Sequence, residues 1–182
     1  MKKILLILLC LPLLFTTCKK EEEKTSAPPS SSVCGNVTIT VDGVNLSYNP
    51  NGSNLSLPAC ETLSMVYPNN NGGTIQMQSY SGLSNEWLLS ATLVGSITFG
   101  QTYPSTFLGT PTVSFSFFDF ATNYSYSNID NNNTYNGSII ITGIDYTANL
   151  IEGNFSFIGH HNVTGTTKDI ICNFSDVPFT PL

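Results

Sequence analysis

The chain of 182 residues carries a net charge of −6, and all six of its basic residues are lysines. Five of those lysines fall before residue 25, so residues 36–182 keep Lys168 alone against nine carboxylates. Such a stretch cannot neutralise a row of phosphates, which excludes nucleic-acid binding, and it has no arginine to clamp an anionic ligand.

Taken in order, Lys2 and Lys3 precede an apolar run from Ile4 to Phe15, and Thr16, Thr17 and Cys18 follow. A charged start, an apolar middle and small residues before a cut mark residues 1–17 as a secretory signal peptide. The run of twelve residues falls short of the roughly 18 that a membrane-spanning helix needs. Cys18 resembles the lipobox cysteine of bacterial lipoproteins, which implies that its thiol is diacylated and the preceding segment removed. Lys19-Lys20-Glu21-Glu22 resembles the Lys-acid-acid signal of some Bacteroidota-type lipoproteins. That resemblance implies an outer-membrane, lipid-anchored protein facing the cell surface. The following Lys/Glu and Ser/Ala/Pro residues have little to bury, so residues 18–35 read as the lipidated cysteine and a flexible tether. Residues 36–182 are the right size for a single β-domain.

Within that domain strand signals recur between turn residues, and no window carries a helical period. Val37–Val41 alternates apolar with polar, Asp42-Gly43 supplies a two-residue hairpin turn, and Val44–Tyr48 returns. Asn49–Pro58 reads as loop and Thr62–Tyr67 as the next strand. Thr74–Tyr80 places Ile75, Met77 and Ser79 on one face. Glu86–Val94 and Ser96–Phe99 read as strands, and Gly100–Pro104 as a break. Thr112–Phe120 places Val113, Phe115 and Phe117 together, and Tyr124–Ser127 reads as a short edge strand. Asn128–Asn136 looks like a polar loop with too little apolar content to pack. Ser138–Asp145, Leu150–Ile158 and Asp169–Val177 complete the domain. The expectation is an all-β, antiparallel β-sandwich of roughly nine to eleven strands, or else a β-barrel of lipocalin-like or jelly-roll form.

The final third contains Gly137-Ser138-Ile139-Ile140-Ile141-Thr142-Gly143-Ile144-Asp145, then Leu150-Ile151-Glu152-Gly153-Asn154-Phe155-Ser156-Phe157. This is similar to a family of uncharacterised Bacteroidota-type lipoproteins, in which a Gly-x-Ile-x-Ile-Thr-x-Ile-Asp strand turns back into a Gly-x-Phe-x-Phe strand. Gly43 and the Gly100–Tyr103 stretch also match that group, as does Asn173-Phe174. The resemblance implies class and address; it brings no activity. Independently of it, Gly153 permits a bulge or a close backbone approach, and Phe155 and Phe157 share the core face.

Candidate chemistry is sparse. His160 and His161 are adjacent, so an extended strand would point them to opposite faces, away from a shared metal. Asp130 with Asn131, Asn132 and Asn133 offers a single carboxylate to calcium, which usually takes several. The remaining acids are scattered over turns and strand ends, short of the facing pair that glycoside hydrolysis uses. The expectation is therefore no catalytic residue, no metal and no cofactor. A binding platform of aromatic rings would be built from Trp87 with Tyr124 and Tyr126. Of the three domain cysteines, Cys34 and Cys60 close the shortest loop and are the favoured disulfide over either pairing with Cys172. The functional expectation is a non-enzymatic, lipid-anchored β-domain that presents a binding or structural surface. The alternative is a glycan-binding accessory of a surface uptake system, with a glycan or an envelope protein as partner.

Overall fold

Alternation with period two decides which side chains turn inward, and the backbone follows it through nearly every strand. The computed structural model describes residues 34–50, 65–66, 71–81, 84–106, 111–130 and 132–182. The segments expected to be signal peptide and tether lie wholly or mostly outside these residues, as do Cys18 and Cys60. The described residues from Cys34 onward belong to one compact unit. Its strands are β1 (Asn36–Val41), β2 (Val44–Leu46), β3 (Met65–Val66), β4 (Gly72–Ser81), β5 (Ser84–Val94) and β6 (Thr102–Pro104). They continue with β7 (Thr112–Asp119), β8 (Tyr124–Ser127), β9 (Ser138–Asp145), β10 (Leu150–His160), β11 (Thr167–Pro178) and β12 (Thr180–Pro181).

The fold is all-β. The strands run in the order β12-β3-β4-β5-β7-β8-β10-β11-β1-β2, with β9 attached to β10 and β6 to β9. Among the described residues only the β12–β3 pair is parallel. The sheet folds over itself into two layers, because its apolar face can be buried only against more of the same. Phe115 of β7 stacks on Phe155 and Phe157 of β10 at 5.4 and 5.2 Å. Met77 of β4 meets the Cys172 thiol of β11, sulfur to sulfur at 3.7 Å. The seam between the layers is bridged after β2. There the Tyr80 N–H donates to the Asn49 carbonyl at 3.0 Å, and Asn49 Nδ2 donates to the Tyr80 carbonyl at 3.2 Å. The result is a sandwich pinched into a flattened barrel.

Local chemistry explains the joints. Asp42 and Gly43 both take positive φ, 51° and 78°, as the two-residue hairpin between β1 and β2 requires. In β10 the register shifts at Gly153, where a Cβ would lie 2.3 Å from the Ile140 carbonyl oxygen, so only glycine fits the bulge. Asp145 begins the β9–β10 turn, and its carboxylate accepts the Thr147 and Ala148 N–H groups at 2.8 and 2.9 Å.

Four local expectations are corrected. Residues 96–98 form no strand, since Thr98 turns to donate its N–H to the Tyr103 hydroxyl at 2.5 Å. The supposed break at Gly100–Pro104 contains β6, which pairs with β9 and buries Tyr103. β8 is an inner strand, held by β7 on one side and by the His160–Ser127 pairing with β10 on the other. At the start of the polar loop expected over Asn128–Asn136, Asn128 packs, because it turns into the core and replaces absent strand partners with its own amide. Its Oδ1 accepts the Phe115 N–H at 2.9 Å and its Nδ2 donates to the Ser105 hydroxyl.

Candidate binding site at the barrel mouth

The β1–β2 and β7–β8 connections gather with the first residues of β5 and β11 at one end of the flattened barrel. Between them lies a cup of about 570 Å³, within the range of roughly 300–1,000 Å³ usual for small-molecule sites, and barrel mouths are a favoured place for them. Trp87 and Phe117 line the cup from β5 and β7, and Phe120 from the turn after β7. Val41, Val44 and Leu46 form the opposite wall. Apolar walls meet a polar set of Asp42, Ser47, Asn85, Glu86, Asp119 and Lys168.

The carboxylates are held in place by the fold. Asp42 Oδ1 accepts the Asp169 N–H at 2.8 Å across the β1–β11 pairing. Asp119 Oδ1 accepts the Ala121 N–H at 3.0 Å, and its Oδ2 faces Lys168 Nζ at 4.0 Å. Lys168 Nζ also stands 5.4 Å from the centre of the Tyr126 ring, within reach of a cation–π attraction. Glu86 is placed by a bulge. Ser79 pairs with Trp87, but Tyr80 pairs with Asn85, which leaves Glu86 as the extra residue of β5. An extra residue re-aims a side chain. The Glu86 carboxylate lies 3.4 Å from the hydroxyl of Ser79, a residue with no exposed surface. That hydroxyl accepts the Asn49 N–H at 3.0 Å and has two acceptors for its one proton, Glu86 Oε2 and the Ser47 carbonyl at 3.2 Å.

Trp87, Tyr124 and Tyr126 belong to one neighbourhood without forming an exposed platform. Trp87 pairs across to Asp119, and Asp119 to Tyr124. Strand alternation turns Trp87 and Tyr126 inward, each with 4% of its surface exposed. Trp87 thus lines the cup, with its ring 5.9 Å from that of Tyr48. Tyr124 is half-buried and stacks on His161 at 4.3 Å. His160 ends a strand and His161 opens the turn that follows it. His160 belongs to β10, while His161 Nδ1 accepts the Thr164 N–H at 3.1 Å. Among the described residues no group of three or more metal-ligating side chains converges. Asp130 spends its carboxylate on its own turn. The Thr134 N–H foremost, with help from that of Asn132, holds it below the usual aspartate range.

Cys34 is disulfide-bonded and Cys172 is a free, buried thiol, so the pairings of Cys172 fall away. Cys60, the favoured partner of Cys34, lies outside the described residues. Burial pushes the Cys172 thiol up, which leaves it protonated and unreactive. Burial first, then the charge Cys172 would carry, raises the Tyr48 phenol to about 12.

The cup residues Glu86, Asp119 and Asp42 were not legible as a set. They are far apart in sequence, and a bulge leaves no mark on the hydropathy pattern. Lys168 was visible as the one cation of the domain, without a place. No family model, no curated protein and no solved structure matches the chain.

Proposed function

We propose that the protein is a lipid-anchored, non-enzymatic β-domain of the outer membrane, facing the cell surface, whose work is to bind at the barrel-mouth cup. The observation that carries this reading is the set of carboxylates that internal bonds hold at the rim of a part-apolar cup. Fixed acceptors suit recognition, since a ligand that meets them finds little left to reorganise. The anchor rests on Cys18 and the charged run after it, and on the resemblance to Bacteroidota-type lipoproteins. Two acyl chains, at ~0.8 kcal/mol per buried CH₂, hold durably where one is marginal.

A second reading, a glycan-binding accessory of a surface uptake system, is favoured by one observation. The amide and hydroxyl of Asn85 and Ser47 share the cup with Trp87. Detergent-phase partition tests the anchor: the wild-type chain should enter the detergent phase and Cys18→Ala should stay in the aqueous phase. Equal partition of the two would refute lipidation. A glycan array separates the two readings, since binding to a defined saccharide would raise the second above the first.

A further inference from the structure

Resting on the cup as a binding site, we propose that its ligand is an organic ammonium ion with an apolar body, an alkylamine or arylalkylamine. Its charge is held by Glu86 and Asp119, and its body lies between the aromatic and aliphatic walls. Three carboxylates line the cup, Asp42, Glu86 and Asp119, against the single ammonium of Lys168. Residues 36–182 contain no other lysine or arginine, so that stretch supplies no second counter-charge. An excess of negative charge in a part-apolar cup repels anions and concentrates cations.

Three features select the class more narrowly. The bulge at Glu86 adds a carboxylate on the side of Trp87 where regular pairing would have turned it away, and bulges of this kind collect beside functional sites. The aliphatic wall of Val41, Val44 and Leu46 gives a sugar's hydroxyls no partners, and burying them there unmatched is costly. It suits a hydrocarbon body. Lastly, the protein already holds one ammonium in this way: Lys168 Nζ lies between the Asp119 carboxylate at 4.0 Å and the Tyr126 ring at 5.4 Å. A ligand ammonium would meet the same kind of surroundings at Glu86 and Trp87.

Trp87 is the only tryptophan, so its emission reports on the cup directly. The full chain is titrated with 2-phenylethylammonium, neutral 2-phenylethanol and anionic 3-phenylpropanoate, three probes of nearly equal shape. The ammonium should bind at least about tenfold more tightly than the alcohol, the gain of a charge-assisted bond, and the anion should not bind. Glu86→Gln should weaken ammonium binding about tenfold and leave the alcohol unchanged. Lys168→Met, which removes the competing charge, should strengthen it. A saccharide site would respond to Lys168→Met in the opposite direction, by losing a donor. If the alcohol or the anion binds as well as the ammonium, the cation inference falls and the cup remains a binding site. If none of the three alters Trp87 emission or the melting temperature, the cup reading falls as well. Should Glu86→Gln fail to fold, the sign of the Lys168→Met effect decides.

Discussion

Truncating Phe155 to alanine tests the two-layer packing at its centre. Phe155 is 1% exposed, with its ring 5.4 Å from Phe115 in the opposite layer and 6.1 Å from Phe174 on the neighbouring strand. Losing its buried surface removes roughly 2–3 kcal/mol. Its aromatic pairings add about 0.5–1.5 kcal/mol each. Phe115 is also held against Phe157, so the wall of the new cavity is braced and collapses only in part. The expected total is about 3–5 kcal/mol. A domain of this size loses about 2–4 °C per kcal/mol, so the melting temperature should fall by about 6–20 °C. Urea and thermal melts followed by Trp87 emission measure this directly. Ile158→Ala is the control, since Ile158 lies on the same strand with its side chain exposed, and its cost should stay within about 0.5 kcal/mol. A Phe155→Ala melt that overlays the wild type would refute the packing of these layers.

Asn128→Ala should cost about 1–3 kcal/mol, because it orphans the buried Phe115 N–H, while the Ser105 hydroxyl keeps its bond to the Val113 carbonyl. Denaturant melts of that variant beside Asn128→Asp measure it, and the aspartate should be at least as damaging because it buries a charge. Alkali should destabilise the fold. Tyr48 and Cys172 both have folded values raised above the unfolded ones, so their contribution is complete below the unfolded values of about 8.5 for cysteine and 10 for tyrosine. It is lost as pH climbs through that range toward about 12, the folded value of Tyr48. Tyr48→Phe should flatten the tyrosine part of the loss in melts between pH 9 and roughly 12. An unchanged slope would remove Tyr48 from the cause.

The regular parts of the fold were legible because a strand's burial is written in alternate residues. Ile75, Met77 and Ser79 are all buried as one face, as are Val113, Phe115 and Phe117. The Asp42-Gly43 hairpin and the Gly153 bulge were equally legible, since each needs backbone geometry that its residues supply. What stayed hidden depends on partners distant in the chain. Tyr124–Ser127 has the pattern of an edge strand, and only the arrival of His160 makes it an inner one. Asn128 looks like loop until its amide is seen to replace a strand neighbour. The cup was the least legible feature, because its acids come from a turn, a bulge and a strand end, each unremarkable where it stands. Trp87 stood out with Tyr124 and Tyr126 as a candidate aromatic platform, and alternation turns it inward to line the cavity.

The most direct test of where ligand binds is an NMR titration of the uniformly ¹⁵N-labelled full chain with 2-phenylethylammonium. The expected result is saturable movement of the Trp87 indole N–H together with the Asn85 and Ala121 amides. Gly143 and Glu152, toward the other end of β10, should stay still. Movement centred on Gly143 and Glu152, or none at Trp87 at saturating probe, would contradict a binding site at the barrel mouth.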